Sequence, residues 1–346
     1  MAHDIPFSFA TCSIGKPTDS LPVKLEALSE AGFHAVELAF PDILSYAKEI
    51  RGKEVAEDDY EALREVAKEI RGVCDRLNVK VMMLQPFANF EGWPEGSKER
   101  EDAFKRARGW ISLMKVLECD MLQVGSTDTP LASLATHPSL HERIVHDLRE
   151  LSDLLATHSM RLAYENWCWS SHSPDWASVY DLIKTVNRPN IGLCLDTFQT
   201  AGAEYADPTA ADGLVPTTHG KANHSTAEKF SASLARLART IPADKIYLLQ
   251  VSDAYRAEPP LEDAVVEGMR PRARWSHDYR PLPYTAGGYL PIEEVGRAVL
   301  GTGFRGWFSM EVFDGKRREV ELKGYAREGW ESMRRFVERC SSSPSS

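Results

Sequence analysis

Short apolar runs and longer amphipathic stretches alternate along the whole chain. The runs Phe7–Cys12, Ala35–Leu38, Val79–Leu84, Met121–Val124, Arg161–Tyr164, Ile191–Leu195, Ile246–Val251 and Trp307–Met310 predict strands. Between and after them the spacing predicts helices near Ser20–Ala31, Asp58–Leu77, Lys98–Leu117, Ser139–His158, Asp175–Val186, Ser225–Thr240, Pro291–Leu300 and Gly324–Val337. In Asp58–Leu77 the residues Leu63, Val66, Ala67, Ile70, Val73 and Leu77 recur every three or four positions, which is one apolar face of a helix. The strand runs are continuously apolar instead of alternating, so both faces of each strand should be buried, as in a parallel sheet.

Strand–helix units in that number predict an α/β fold of the (β/α)8 TIM-barrel type, a single domain over residues 1–340. The Ser- and Pro-rich end, 341–346, is expected to be a disordered tail. The competing architecture, an open doubly wound sheet, usually carries a Gly-rich phosphate turn, and neither G-x-G-x-x-G nor G-x-x-x-x-G-K-[ST] occurs. The chain has 346 residues, more than the roughly 250 of a plain barrel. The surplus predicts long loops after strand six (Gln199–His224) and strand seven (Ser252–Leu290), on the face where barrel sites sit.

Charge narrows the partners. Lys and Arg number 41 against 51 Asp and Glu, a net charge of −10, which argues against nucleic acid or an acidic membrane surface. The six cysteines form no C-x-x-C pair and read as reduced thiols. The N-terminus lacks the basic, then apolar, layout of a signal peptide, and no apolar run reaches the ~18 residues of a membrane span. A cytoplasmic protein acting on a small molecule is expected; a homo-oligomer is compatible with this composition.

The chemistry stands at the strand ends. Strand five ends in Glu165 (RLAYENW), strand six in Asp196 (IGLCLDTF) and strand eight in Glu311 (WFSMEVF), and strand seven carries Gln250 (IYLLQVSD). Three carboxylates converging in one mouth would raise one another's pKa unless a cation neutralises them. A hard divalent ion with oxygen ligands (Mg²⁺, Mn²⁺ or Co²⁺) is the expected cofactor. Taken singly, each carboxylate reads equally well as a strand-end salt bridge. The segment Gly268–Arg280 (GMRPRARWSHDYR) places Arg270, Arg272, Arg274 and Arg280 beside Trp275, Ser276, His277 and Tyr279. Guanidinium groups recognise carboxylates in two-pronged fashion, so the segment reads as an anion-capture loop, against the plainer reading of a solvated basic loop. Loop histidines His172, His219 and His224 carry less weight.

The E…D…Q…E pattern resembles the sugar-phosphate isomerase/epimerase-like (xylose isomerase-like) TIM barrels, and more narrowly the fungal 3-dehydroshikimate dehydratases. The stretches that carry it include KLEALSEAGFHAVEL, VMMLQPFANFEG, YENWCWSS, VNRPNIGLCLDTFQTAGAEYADPTA, RARWSHDYR and GFRGWFSMEVF. The resemblance implies a single divalent ion held by Glu165, Asp196, Gln250 and Glu311. It implies a lyase that converts 3-dehydroshikimate to protocatechuate with loss of water, in quinate catabolism. Arg272 and Arg280 are the implied holders of the substrate carboxylate, with Trp275 and Ser276 beside them; Glu165, Glu311 and His277 are the candidates for the base. The chain departs from the family pattern at Phe40-Pro41 and at Gln199, where relatives carry histidines. A sugar or inositol isomerase, epimerase or dehydratase with the same metal site, and a catalytically silent metabolite-binding barrel, are the alternative readings.

Overall fold

The computed structural model describes residues 5–134, 140–216, 225–317 and 319–342. Eight parallel strands close into a barrel in sequence order: β1 (Phe7–Ala10), β2 (Ala35–Ala39), β3 (Lys80–Phe87), β4 (Met121–Gly125), β5 (Arg161–Glu165), β6 (Ile191–Asp196), β7 (Ile246–Val251) and β8 (Trp307–Met310). Each agrees with a predicted run to within a few residues. The continuous apolar character has the expected cause, since helices cover the outside of strands such as β2, β4 and β6, whose residues are buried throughout. The helix Tyr60–Leu77 buries Leu63, Val66, Ala67, Ile70 and Val73, the predicted face.

Helices not anticipated from the pattern also occur. Phe40–Arg51 starts directly at the end of β2, and Thr197–Glu204 directly at the end of β6. The chain therefore enters a helix where a long loop was expected after strand six, and the part of that connection at 217–224, with His219 and His224, lies outside the described residues. The connection after β7 is long. It carries the helix Pro271–Asp278, and Tyr279–Arg280 pairs antiparallel with Phe313–Asp314, which follows β8. The last helix, Leu322–Ser341, runs past the predicted domain boundary, and residues 343–346 of the expected tail lie outside the described residues. Among the described residues, no helix is long and apolar enough to cross a membrane.

Candidate active site and metal centre

The barrel register brings the strand-end groups to one level. Cys194 lies beside Glu165, and Asp196 beside Gln250. Glu165, Asp196 and Glu311 are buried, and one oxygen from each lies within 4.8 Å of the others. Each carboxylate is held by neighbours that fix its direction. Asp196 caps the helix it precedes: Oδ1 accepts from the backbone N–H groups of Phe198 (2.6 Å) and Gln199 (3.3 Å). Its Oδ2 meets Nη2 of Arg280 at 2.5 Å. Glu311 accepts from Gln85 Nε2 on Oε1 (3.3 Å) and faces Arg280 Nη1 with Oε2 (3.0 Å). Glu165 accepts on Oε2 from Gln123 Nε2 and from the Trp167 indole (3.3 Å), while its Oε1 is buried without a partner.

Burial, reinforced by Glu311 and Asp196, pushes the Glu165 carboxyl well above the usual range. Burial also raises Glu311 to about 7, against the downward pull of Arg280. Asp196 is raised by burial, with Arg280 and the capping N–H groups opposing. On β2, Glu37 is pushed up to about 8 by burial and then by Glu311. One guanidinium among so many buried acids leaves the cluster short of positive charge. The orphaned Glu165 oxygen and the all-oxygen donor set fit a hard divalent cation. This is a candidate divalent-metal site.

Above the carboxylates opens a cavity of about 460 Å³, lined among others by Gln85, Asn89, Gln123, Trp167, Trp169, Gln199, Ser276, His277, Arg280 and Phe313. Trp167 and Trp169 stack, with ring centroids 5.2 Å apart, as one flat wall. His277 and Phe313 stack at 6.4 Å as another. Gly125 at the end of β4 makes the first wall possible, because a Cβ there would overlap the Trp167 indole.

The basic segment is mostly helix, and its arginines diverge. Arg280, 1% exposed, lines the cavity and adds bonds to Ser252 Oγ (2.9 Å) and the Glu311 carbonyl (2.9 Å). Arg272 turns away: Nε donates to the Gly202 carbonyl (2.8 Å) and Nη2 to that of Ala206 (3.3 Å), with Asp207 at 3.6 Å. The expectation that Arg272 faces the substrate is therefore corrected; it ties the helix Pro271–Asp278 to the end of the helix Thr197–Glu204. Arg270 and Arg274 likewise donate to backbone carbonyls. Trp275 is core, packed on Phe198 with its indole N–H on the Tyr255 carbonyl (2.8 Å), and does not line the cavity. Ser276 and His277 do line it. Nδ1 of His277 lies 2.7 Å from the Ala273 carbonyl, which orients the ring and leaves Nε2 without that partner.

Gln199, where a histidine was expected of relatives, lines the cavity with Oε1 held by the Cys168 N–H (2.9 Å). Phe40 stacks on Trp110 in the core, and its neighbour Pro41 reaches the cavity. Reading strand ends five to eight left out Glu37, Gln85 and Gln123. Their signal was a lone polar residue inside an apolar run (VEL, LQPF, LQVG).

Residues 25–336 match the family model of xylose isomerase-like TIM barrels. The chain belongs to that family. It is 32% identical over 324 residues to a 3-dehydroshikimate dehydratase of Neurospora crassa, covering 90% of this chain and 86% of that one. A 3-dehydroshikimate dehydratase of Pseudomonas aeruginosa is 27% identical over 94% of this chain, which spans only 41% of that longer relative. Among solved structures, a xylose isomerase-like TIM barrel/4-hydroxyphenylpyruvate dioxygenase fusion protein superposes with a TM-score of 0.70 at 24% identity. That match covers 99% of this chain and 45% of the fusion protein. The family and the buried carboxylate triad place the chain among metal-dependent enzymes of dehydratase type.

Proposed function

We propose that this enzyme converts 3-dehydroshikimate to protocatechuate with release of water, using one divalent ion (Mg²⁺, Mn²⁺ or Co²⁺). The observation that carries the reading is the buried triad Glu165, Asp196 and Glu311 beneath a cavity walled by flat aromatic rings. Glu165, Asp196, Glu311 and the amide oxygen of Gln250 would hold the ion. When bound, it supplies electron withdrawal from a ketone oxygen, which lowers the barrier to removing the neighbouring proton.

The chain's own residues supply the rest. His277, its ring oriented by the Ala273 carbonyl on Nδ1, is the base, with Nε2 left for the substrate while Glu165 and Glu311 are engaged by Gln123, Trp167, Gln85 and Arg280. The proton taken from the carbon next to the ketone is given to the hydroxyl one carbon further, which departs as water; a proton then leaves the ring methylene while the ketone oxygen takes one up, which gives the aromatic ring. The Trp167–Trp169 wall suits a ring that becomes planar and excludes bulk water from one side. Arg280 lines the cavity paired with Asp196 and Glu311; with an ion taking up the charge of those carboxylates, its guanidinium would be freed in part for a substrate carboxylate, which favours an acid over a neutral sugar. The deciding assay mixes purified protein with 3-dehydroshikimate and Mg²⁺, Mn²⁺ or Co²⁺ and follows the ultraviolet absorbance of the aromatic product. Activity abolished by a chelator and restored by the ion is expected; no product with any of the ions, or full activity without metal, sinks the proposal.

A further inference from the structure

One hydrogen bond links groups on opposite sides of the barrel interior. Gln250 on β7 donates from Nε2 to Oε2 of Glu37 on β2 at 2.8 Å, and both residues are fully buried. An amide has a donating end and an accepting end, whereas an ionised carboxylate only accepts. In the structure the donating end faces Glu37 and the accepting end faces the Cys194 thiol, so both ends of the amide are engaged in the orientation seen. Oε1 is thereby directed to the opposite side. There it lies 3.2 Å from Sγ of Cys194, a thiol that feels the charges of Glu165, Glu37, Glu311 and Asp196 together. Asp196 is also the register partner of Gln250. Gln250 thus stands beside one carboxylate of the candidate metal site with its oxygen turned to a thiol, a weak donor that a cation displaces with ease.

We infer that Glu37 is a positioning residue for Gln250: its carboxylate fixes the amide so that oxygen, and not nitrogen, is presented to the cation. The inference rests on the metal-site reading above. It gives a physical reason for an amide at 250, which can donate to Glu37 at 2.8 Å with one end and keep an oxygen at the other. Partners of this kind orient a ligand, and their removal typically weakens metal affinity about 10- to 100-fold.

The experiment is calorimetric titration of the purified chain with Mn²⁺, beside thermal unfolding of the metal-free proteins as a check on folding. Four variants are compared with the wild type: Glu37→Leu, Glu37→Gln, Gln250→Glu and the exchanged pair Glu37→Gln with Gln250→Glu. Glu37→Leu is expected to bind Mn²⁺ 10- to 100-fold more weakly. Glu37→Gln, which keeps an oxygen that can accept from Gln250, is expected to lose less than Glu37→Leu. Gln250→Glu is expected to bind more weakly than the exchanged pair, in which the amide at 37 donates to the carboxylate at 250. If charge alone governed affinity, Gln250→Glu would bind the more tightly, since it carries one more negative charge than the pair. Mn²⁺ binding by Glu37→Leu at the wild-type level, equal losses in Glu37→Leu and Glu37→Gln, or Gln250→Glu binding as tightly as the exchanged pair overturns the inference while leaving the metal site standing. A wild-type chain that takes up no Mn²⁺ overturns both. Should Glu37→Leu fail to fold, the two Gln250→Glu proteins decide the matter.

Discussion

Arg280 and Asp196 meet at 2.5 Å between Nη2 and Oδ2, with side chains 1% and 0% exposed. The same guanidinium reaches Glu311 at 3.0 Å, so it lies against two of the three carboxylates that the candidate cation would use. Arginine and metal therefore act on the same negative charge. Removing one partner of a buried ion pair leaves the other desolvated and uncompensated. Arg280→Ala is expected to destabilise the metal-free protein by on the order of 3–5 kcal/mol. Mn²⁺ should recover part of this loss, because a cation that binds only the folded chain stabilises it by mass action. Urea unfolding with and without Mn²⁺ measures both quantities. A stability gap that the ion does not narrow would show that Arg280 and the metal do not share these carboxylates.

Arg272 and Arg280 should separate in catalysis. Loss of a buried charge partner for an anionic substrate costs on the order of 2–5 kcal/mol, or roughly 30- to several-thousand-fold in kcat/KM. That loss is expected of Arg280→Ala assayed with saturating Mn²⁺, with poor rescue by Arg280→Lys, which lacks the two-pronged head. Arg272 holds two backbone carbonyls of the neighbouring helix end, so Arg272→Ala is expected to lower the melting temperature and to cost less than about tenfold in kcat/KM. Equal kinetic losses in the two variants would place Arg272 in substrate binding after all.

Gly125 gives a test of the aromatic wall. Any side chain there overlaps the ring of Trp167, whose N–H also steadies Glu165. Gly125→Ala must displace that ring while β4 keeps its pairing with β5. Misplacement of a positioning group by about 1 Å costs on the order of 100-fold in rate, and a drop of that size in kcat is expected. Tryptophan fluorescence should shift with it. Unchanged kcat together with an altered spectrum would show that the wall does not position the substrate.

The barrel was legible because each strand run is apolar on both faces, and each amphipathic stretch carries a helix period. The site was legible where a carboxylate ends such a run, as at Glu165, Asp196 and Glu311. Two things were not. The helix Pro271–Asp278 is too polar to show an apolar stripe; Pro271 at its first turn and the docking of Ala273 and Trp275 make it a helix. Four arginines in one short segment look equivalent in a sequence, and only the rotation about that helix and the turn after it decides that Arg280 enters the site while Arg272 leaves it. Glu37 was hidden for a different reason. Its partner Gln250 is more than two hundred residues away and meets it across the barrel interior.

Glu91 supplies a prediction about pH that does not involve the metal. It is buried in the connection after β3, where Oε1 accepts from the Thr127 N–H (2.7 Å) and the Tyr164 hydroxyl (2.9 Å) while Oε2 has no partner. Burial pushes its carboxyl from the ordinary 4.5 up to about 7, the two donors pull it back in part, and Asp147 adds to the rise. The folded chain thus holds this proton more tightly than the unfolded chain. Below the unfolded value, both states are protonated and Glu91 adds no pH dependence. Between about 4.5 and 7 the unfolded chain ionises first, so stability falls as pH rises, and above 7 the loss stays constant. The full loss is on the order of 3 kcal/mol. Glu91→Gln keeps an oxygen for Thr127 and Tyr164 but cannot ionise, and its new unpaired N–H contributes an offset that does not vary with pH. Urea unfolding of both proteins in chelator from pH 5 to pH 8 isolates the effect, because the metal-site carboxylates contribute alike to each. The wild type is expected to lose more stability than Glu91→Gln across that range, most of it before pH 7. Parallel profiles would mean that Glu91 is already ionised in the folded protein at pH 5, and that Thr127 and Tyr164 outweigh its burial.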